Sequence, residues 1–161
     1  MKLTYTADDA VQLDDGRWAI VFTLPSGNTQ YEVTASSASY AADTVNKQIR
    51  LCLNQMDAEQ PYRDAVKALS TMCLEHGGSG AYAAAQVLLS TYNGNNYQVD
   101  LTDLCNLDEE NFSHAIAVIR GRVLCSREPH NMIENGSEIF SDLEQIWARI
   151  NTRNRYKNYY K

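Results

Sequence analysis

Residues 16–34 read GRWAIVFTLPSGNTQYEVT, and this stretch decides the fold class because it predicts two antiparallel strands joined by a turn. Apolar side chains at Trp18, Ile20 and Phe22 alternate with smaller or polar neighbours, which is the period-2 pattern of a half-buried strand. The Pro-Ser-Gly-Asn segment that follows has turn chemistry, since proline presets one backbone dihedral and glycine accepts a positive φ. With a less regular strand before them, residues 1–35 are predicted to form a three-stranded antiparallel meander.

Helical spacing of apolar residues begins directly after this meander. Ser36 and Ser37 offer an N-cap for a helix over about residues 37–56, which would cover one face of the sheet. Pro61 suits the first turn of a second helix, and Gly77-Gly78 ends it. The sequence thus predicts two helices here, separated near the proline.

Further helices follow the glycine pair. The stretch Gly80–Tyr92, capped by Ser79, is small and apolar nearly all round and is therefore predicted to be central. Residues 100–104 are predicted to form a short turn or helical piece. Asp108 is predicted to cap the next helix, whose predicted apolar stripe is Phe112, Ala115, Ile116, Ile119 and Val123. A short helix is predicted over 129–136, and Ser137 begins the last one. The predicted fold class is α+β, with an N-terminal three-stranded antiparallel sheet followed by a helical bundle of about five or six helices.

The chain of 161 residues has the length of one domain. We expect a single compact domain over residues 1–148, with the β-meander over 1–35 and the helical part over 37–148. Residues 149–161 are expected to be the end of the last helix and a basic, tyrosine-containing tail. The predicted core residues are Trp18, Phe22, Ile49, Leu69, Leu88, Ile116 and Trp147.

Four cysteines, at positions 52, 73, 105 and 125, lie apart from one another, and no CxxC pair occurs. They predict reduced, buried thiols in a cytoplasmic protein, and the N-terminus shows no apolar signal region. Cys73 and His76 stand on consecutive helical turns, but a structural zinc site needs four ligands. The sequence therefore predicts no metal and no cofactor.

Catalytic chemistry has no signature in this sequence. The Gly77–Gly80 segment lacks the lysine and the preceding strand of a phosphate-binding loop, so it is predicted to be a helix–helix turn. No nucleophile elbow, zincin or kinase pattern occurs either. We predict a non-enzymatic protein, and an enzyme of unknown class remains the open alternative because catalytic triads are spatial.

Charge divides the chain unevenly. Residues 149–161 hold five lysines and arginines and no acid, so all 20 acids and only nine of the 14 lysines and arginines lie in residues 1–148. An acidic body favours a basic partner surface and argues against a broad phosphate-binding surface. The predicted partner contacts, on turns and a helix start, are Asp8, Asp9, Asp14, Asp15, Asp108, Glu109 and Glu110. The alternative is that these acids are helix caps and solvated faces.

The C-terminal tail interleaves cations with tyrosines. Tyrosine stacks on bases and lysine or arginine binds phosphate, so the tail could be a nucleic-acid arm. The residues concerned are Arg153, Arg155, Tyr156, Lys157, Tyr159 and Tyr160. The alternative is a helix end whose cations complement the helix dipole, followed by a frayed terminus.

Several short segments carry a resemblance. They are LLSTYNG at 88–94, DLTDL at 100–104, LD at 107–108, AVIR at 117–120, EPH at 128–130 and ENG at 134–136. In these segments, and over about Gly80–Gly136 as a whole, the chain resembles an uncharacterised family of small proteins from plasmids, integrative elements and phages. The resemblance implies a mobile-element accessory protein and assigns no activity.

The segment GRWAIVFTLPSG at 16–27, followed by a helix, is similar to the three-stranded arm-binding module of phage-type integrases. That module is basic where it touches DNA. Here acidic residues stand instead, among them Asp14, Asp15 and Glu32. The similarity implies the three-stranded sheet and does not extend to the charge of the DNA-binding surface.

These observations predict a non-enzymatic mobile-element accessory protein that binds a host protein or ribonucleoprotein complex with a basic surface. Its sharpest form is an anti-defence inhibitor of the anti-CRISPR type, since an acidic surface can occupy a groove made for nucleic acid. The alternative is an accessory nucleic-acid-binding protein that uses the basic tail. We expect neither membrane binding nor direct nucleic-acid binding by the acidic body, and the oligomeric state is open.

Overall fold

The computed structural model describes residues 1–155 and 157, and its fold is α+β, as predicted. The chain divides into two compact units, Met1–Asp57 and Ala58–Lys161. The expectation of a single domain over 1–148 stays a prediction. The helices and strands are β1 (Val11–Gln12), β2 (Trp18–Thr23), β3 (Gln30–Ala35), α1 (Ala38–Glu75), α2 (Ser79–Tyr92), α3 (Glu109–Cys125), α4 (Gly136–Ile146) and α5 (Thr152–Arg155). Within the described residues, every helix is too short or too polar to cross a membrane.

The first unit carries the three strands in the order β1-β2-β3, all antiparallel, which confirms the predicted meander. In the register of β2 and β3, Ile20 lies opposite Val33 and Phe22 lies opposite Tyr31. Ile20 and Phe22 are almost fully buried with apolar residues of α1, whereas Val21 between them is exposed. The period-2 pattern therefore packs one face of the sheet on α1.

Two details of this unit bear on the predictions. The Ser37 hydroxyl accepts a hydrogen bond from the Tyr40 N–H (3.2 Å), which confirms the predicted N-cap of α1. Trp18, predicted to be core, is only half-buried. It stands at the first position of β2 opposite the small Ala35, which covers little of the indole.

One continuous helix, α1, replaces the two helices predicted on either side of Pro61. Proline inside a helix removes a backbone hydrogen bond and typically costs about 3 kcal/mol. Residues 57–60 contain no glycine that would end a helix, and Tyr62, next to the proline, is fully buried in the second unit. Burial of Tyr62 offsets the cost of Pro61, and the predicted break is wrong.

The second unit is built around α2, as predicted. Nearly every side chain of α2 between Ala81 and Leu89 is buried, because small alanines let the neighbouring elements approach closely. Trp147 is also buried, and its indole N–H donates to the Cys73 carbonyl (3.1 Å). This bond joins the end of α1 to the segment after α4.

The buried face of α3 differs from the predicted one. Phe112, Ile116 and Val123 were predicted to face the core, yet all three are exposed. The buried residues of α3 are small: Ala115, Val118 and Gly121. Gly121 lies so close to the Tyr62 ring that even a methyl group would collide with it. The predicted stripe is therefore right at Ala115 and wrong at Phe112, Ile116 and Val123.

Three helix boundaries also differ from the predictions. Ser79 is the first residue of α2, which has Gly78 at its N-cap and no side-chain cap. Gly136 begins α4 and does not close the short helix before it, since Asn135 adopts φ 52° and turns the chain. The last predicted helix ends at Ile146, and the chain continues with a 3-10 helix at Ala148–Ile150 and with α5.

All four cysteines are free thiols in the structure, and their redox state in the cell stays a prediction. Cys52 and Cys73 are buried, whereas Cys125 is half-buried and Cys105 is exposed. The prediction that every thiol is buried is therefore wrong at Cys105, which lies in the loop before α3.

A first prediction concerns the contact between Gly121 and Tyr62. A Cβ added at Gly121 would collide with the Tyr62 ring, 2.7 Å from its Cδ1. Overpacking of this kind costs about 1–3 kcal/mol, more than the gain of about 1 kcal/mol that alanine brings to a helix. We expect Gly121→Ala to lower the free energy of unfolding in urea denaturation. The control is Gly77→Ala, where a Cβ meets no atom within 4 Å; equal stability of the two variants would contradict the prediction.

Candidate functional site

An apolar cavity of about 370 Å³ lies at the start of α3 in the second unit. It is lined by Leu101, Leu104, Cys105, Leu107, Asp108, Glu109 and Phe112, which we call the α3 docking surface. Leu101 is 74% exposed and Phe112 is 44% exposed, so the surface presents large apolar side chains to solvent. Glu109 stands at its edge, and exposed Glu110 follows in the same helical turn.

The loop that carries Leu101 is held by the buried side chain of Gln86 in α2. The Gln86 Oε1 accepts a hydrogen bond from the Asp100 N–H (2.8 Å), and its Nε2 donates to the Asp103 carboxylate (2.6 Å). The Arg155 guanidinium also donates a hydrogen bond to the Asp100 carboxylate (3.3 Å). Asp100 and Asp103 look like free surface acids in the sequence. In the structure they form hydrogen bonds within the chain that hold the loop of the α3 docking surface in place.

The three acids at the start of α3 differ in role. The Asp108 carboxylate accepts the Asn111 N–H (2.8 Å) and its side-chain amide, so the predicted cap is confirmed. These bonds hold the pKa of Asp108 below its ordinary value of 3.8. Glu109 and Glu110 are exposed and form no ion pair with a described residue. The structure thus leaves two carboxylates beside the apolar cavity available to a partner.

The other predicted partner contacts belong to the first unit. Asp8 and Asp9 lie in a short 3-10 helix, and Asp14 and Asp15 lie in the turn between β1 and β2. Two of them are already paired: Asp9 binds the Lys2 ammonium, and Asp15 binds the Arg17 guanidinium (2.7 Å). Each pairing lowers the pKa of its aspartate.

The predicted nucleic-acid tail is described only in part. Arg153 and Lys157 are exposed, and Arg155 is engaged with Asp100. The tyrosines Tyr156, Tyr159 and Tyr160 lie outside the described residues. Arg149, just before them, stacks on the rings of Tyr82 and Trp147, 5.1 Å from each ring centre.

The cysteine–histidine pair was the one metal candidate in the sequence. Cys73 is fully buried, its Sγ lies 3.4 Å from the Ala81 carbonyl, and burial raises its pKa to about 12. A neutral thiol of this kind is a packing residue, and zinc requires the thiolate. Among residues 1–155 and 157, no three His, Cys, Asp or Glu side chains are grouped closely enough to hold a metal ion.

A second, polar cavity of about 420 Å³ is lined by Tyr92, Asn93, Gly94, Asn95 and Glu128. It joins two of the segments that carry the resemblance noted in the sequence. His130 packs edge-on to Tyr92 (5.2 Å between ring centres), and its Nδ1 lies 3.4 Å from the Glu128 carboxylate.

 

The wall of this polar cavity thus offers amide, phenol and carboxylate groups, and none of its five lining residues is a serine or cysteine nucleophile. The cavity carries no catalytic grouping of its own. The α3 docking surface, in contrast, combines exposed apolar side chains with exposed carboxylates that form no ion pair with a described residue.

Sequence reasoning missed the apolar half of the α3 docking surface. Ile116 was predicted to be core, Phe112 was predicted to lie on the apolar stripe of α3, and Leu101 was predicted to lie in a short turn or helical piece. A signal was present, because the apolar residues of α3 at 112, 115, 116, 118, 119 and 123 span more of the helix than one buried stripe can take. Some of them had to face solvent or a partner.

A model of a family of unknown function, DUF7673, matches residues 63–148, which is more than half of the chain. The chain belongs to the DUF7673 family. No curated protein and no solved structure matches it.

The DUF7673 match lies wholly within the second unit, from α1 after Pro61 to the segment that follows α4. It includes the α3 docking surface, Gln86 and both aspartates that hold the loop. The sheet of the first unit lies outside it. The expected link to plasmid and phage proteins, and the similarity to the integrase module, stay predictions.

A second prediction concerns the charge on Asp100. Its carboxylate accepts hydrogen bonds from the Thr102 hydroxyl (2.7 Å) and N–H (3.0 Å) and contacts Arg155, and these lower its pKa from 3.8. The resulting stability is present above that ordinary value and is lost as the pH falls through the lowered one. We expect Asp100→Asn to lower the Tm at about pH 7, with a gap to the native chain that narrows below about pH 4.

The matched control for this variant is Asp142→Asn, because Asp142 is exposed on α4. It should leave the Tm unchanged at both pH values. A gap between Asp100→Asn and the native chain that stays constant as the pH falls would show that the carboxylate charge is not its cause.

Proposed function

We propose that this DUF7673 protein is a non-enzymatic binding protein whose α3 docking surface receives a basic, amphipathic segment of a partner protein. The observation that carries the proposal is an exposed apolar cavity beside the carboxylates of Glu109 and Glu110, which form no ion pair within the described part of the chain. An apolar floor with an acidic edge fits a segment that has apolar side chains on one face and lysines or arginines beside them.

The apolar part supplies the affinity in this proposal. Leu101 and Phe112 expose large side chains, and Ile116, 45% exposed, extends the apolar area by one turn of α3. Burying apolar surface contributes roughly 25 cal/mol per Å². Adjacent exposed apolar side chains of this kind are typical of interaction sites.

In this proposal the carboxylates of Glu109 and Glu110 orient the partner and speed its association. Glu109 and Glu110 lie at the N-terminus of α3, where the helix dipole stabilises their negative charge without cancelling it. Complementary charge steers association and disfavours partners of the same sign, so the edge selects a basic partner and repels free nucleic acid.

The more specific version of this proposal is that the protein comes from a mobile element and inhibits a host defence complex in the cytoplasm. It rests on the acidic composition and on the sequence resemblance. A basic nucleoprotein groove would supply the partner chemistry that the α3 docking surface fits. Origin, target and location stay predictions.

A third prediction tests the docking surface with a defined probe. We expect a synthetic amphipathic helix made only of Leu and Lys to bind the full chain and to slow alkylation of exposed Cys105, which lines the cavity. A helix of the same design made of Leu and Glu should not bind. Reversing both charges, with Glu109→Lys and Glu110→Lys, should slow association of the basic helix by about tenfold and weaken its dependence on salt.

The matched control reverses two exposed acids of α4 in the same unit, Glu138→Lys and Asp142→Lys. It makes the same change in net charge and should leave binding nearly unchanged. Equal effects of the two double variants would show that overall charge is responsible, which would contradict the proposed site. The Cys105→Ser variant should remove the protected thiol.

The basic tail is tested against the same proposal. Deleting residues 156–161 should leave binding of the basic helix unchanged. In a gel shift at low salt, the intact chain should not retard DNA. If it does, and the deletion abolishes the shift, the tail carries the function and the accessory nucleic-acid-binding alternative holds.

A further inference from the structure

A groove of about 520 Å³ lies elsewhere in the second unit, between α1 and the segment that leads into α4. The side chains of α1 along it are Arg63, Lys67, Ser70, Thr71 and Leu74, and the opposite wall includes Met132 and Ile139. None of these residues lines the α3 docking surface. The volume lies within the range of about 300–1,000 Å³ that small-molecule sites occupy.

The polarity of the groove changes along α1. Lys67 lies toward one end and Leu74 toward the other, about 10 Å apart at the helical rise of about 1.5 Å per residue. Spacings of three, four and seven residues bring Lys67, Ser70, Thr71 and Leu74 to one face of the helix. A ligand lying along this face would meet a cation, then hydroxyls, then apolar side chains.

Ser70 is an independent sign of a ligand. It is only 3% exposed, and its Oγ has no hydrogen-bond partner among the described residues. Buried hydroxyls almost always have a partner, because losing water without gaining a hydrogen bond is unfavourable. An acceptor oxygen in the groove would satisfy it.

The charges around the groove limit the ligand to a single negative charge. Arg63 is already engaged, since it donates to the Met132 carbonyl (3.2 Å) and pairs with Glu59 (3.5 Å). Lys67 is exposed and forms no ion pair with a described residue. Glu134 also lines the groove and would repel a doubly charged phosphate more strongly than a carboxylate.

We propose that this groove binds a small aliphatic monocarboxylate. The carboxylate accepts hydrogen bonds from the Lys67 ammonium and the Ser70 hydroxyl, and the alkyl chain lies against Leu74, Met132 and Ile139. Charge-assisted hydrogen bonds hold the head group, and the apolar wall holds the chain. This site is separate from the α3 docking surface and does not depend on the function proposed for it.

The test uses decanoate as the probe and the full chain as the receptor. We expect decanoate to bind with a Kd below about 1 mM and to shift the methyl NMR signals of Leu74, Met132 and Ile139 while leaving those of Leu101 and Ile116 in place. Acetate, which has the head group alone, should not bind. Decyltrimethylammonium, which has the chain with the opposite charge, should bind at least about tenfold more weakly.

Two variants locate the head group. Lys67→Gln should weaken decanoate binding by about tenfold, and Ser70→Ala should weaken it by a smaller factor. The control is Arg120→Gln, which removes an exposed cation outside the groove and should have no effect. Absence of decanoate binding, equal binding of the cationic amphiphile, or equal effects of Lys67→Gln and Arg120→Gln would each overturn the proposal.

Discussion

The buried amide of Gln86 is the constraint on which the surface of the second unit depends. It lies in the centre of α2, where every neighbour from Ala83 to Leu89 is buried, and an unpaired amide there would cost about 1–3 kcal/mol. Both of its polar atoms are satisfied by the loop at 100–103. This requirement holds the loop against α2 through the Asp100 N–H and the Asp103 carboxylate, while Leu101 between them stays exposed. A single polar residue in an apolar helix thereby positions the α3 docking surface.

The elements that the sequence predicts correctly are those fixed by local chemistry. The alternation in β2, the N-cap at Ser37 and the cap at Asp108 each depend on residues within one or two turns of chain. The helix break predicted at Pro61 is wrong because the interaction that decides it involves residues distant in the sequence. Tyr62 is buried against elements far along the chain, and that burial outweighs the local preference of proline.

The orientation of α3 shows why the site itself was only half predictable. The three acids at 108–110 could be found from sequence because their position at a helix start is a local pattern. The apolar half could not, because α3 is apolar around most of its circumference. Gly121 faces inward because only a residue without a side chain fits there against the Tyr62 ring, and the larger Phe112 and Ile116 lie outside. That choice depends on a contact between residues 59 positions apart in the sequence.

Net charge proves to be a coarse guide to which charges can act on a partner. Asp9, Asp15 and Asp100 are each matched by a lysine or arginine of the chain, so their fields largely cancel at short range. Arg155, counted from the sequence as part of a basic tail, is one of those matching charges. Among the described residues, Glu109 and Glu110 beside the apolar cavity and Lys67 beside the groove form no ion pair. Local pairing therefore decides which charges can act on a partner, and within the DUF7673 region it leaves charges of both signs next to apolar surface.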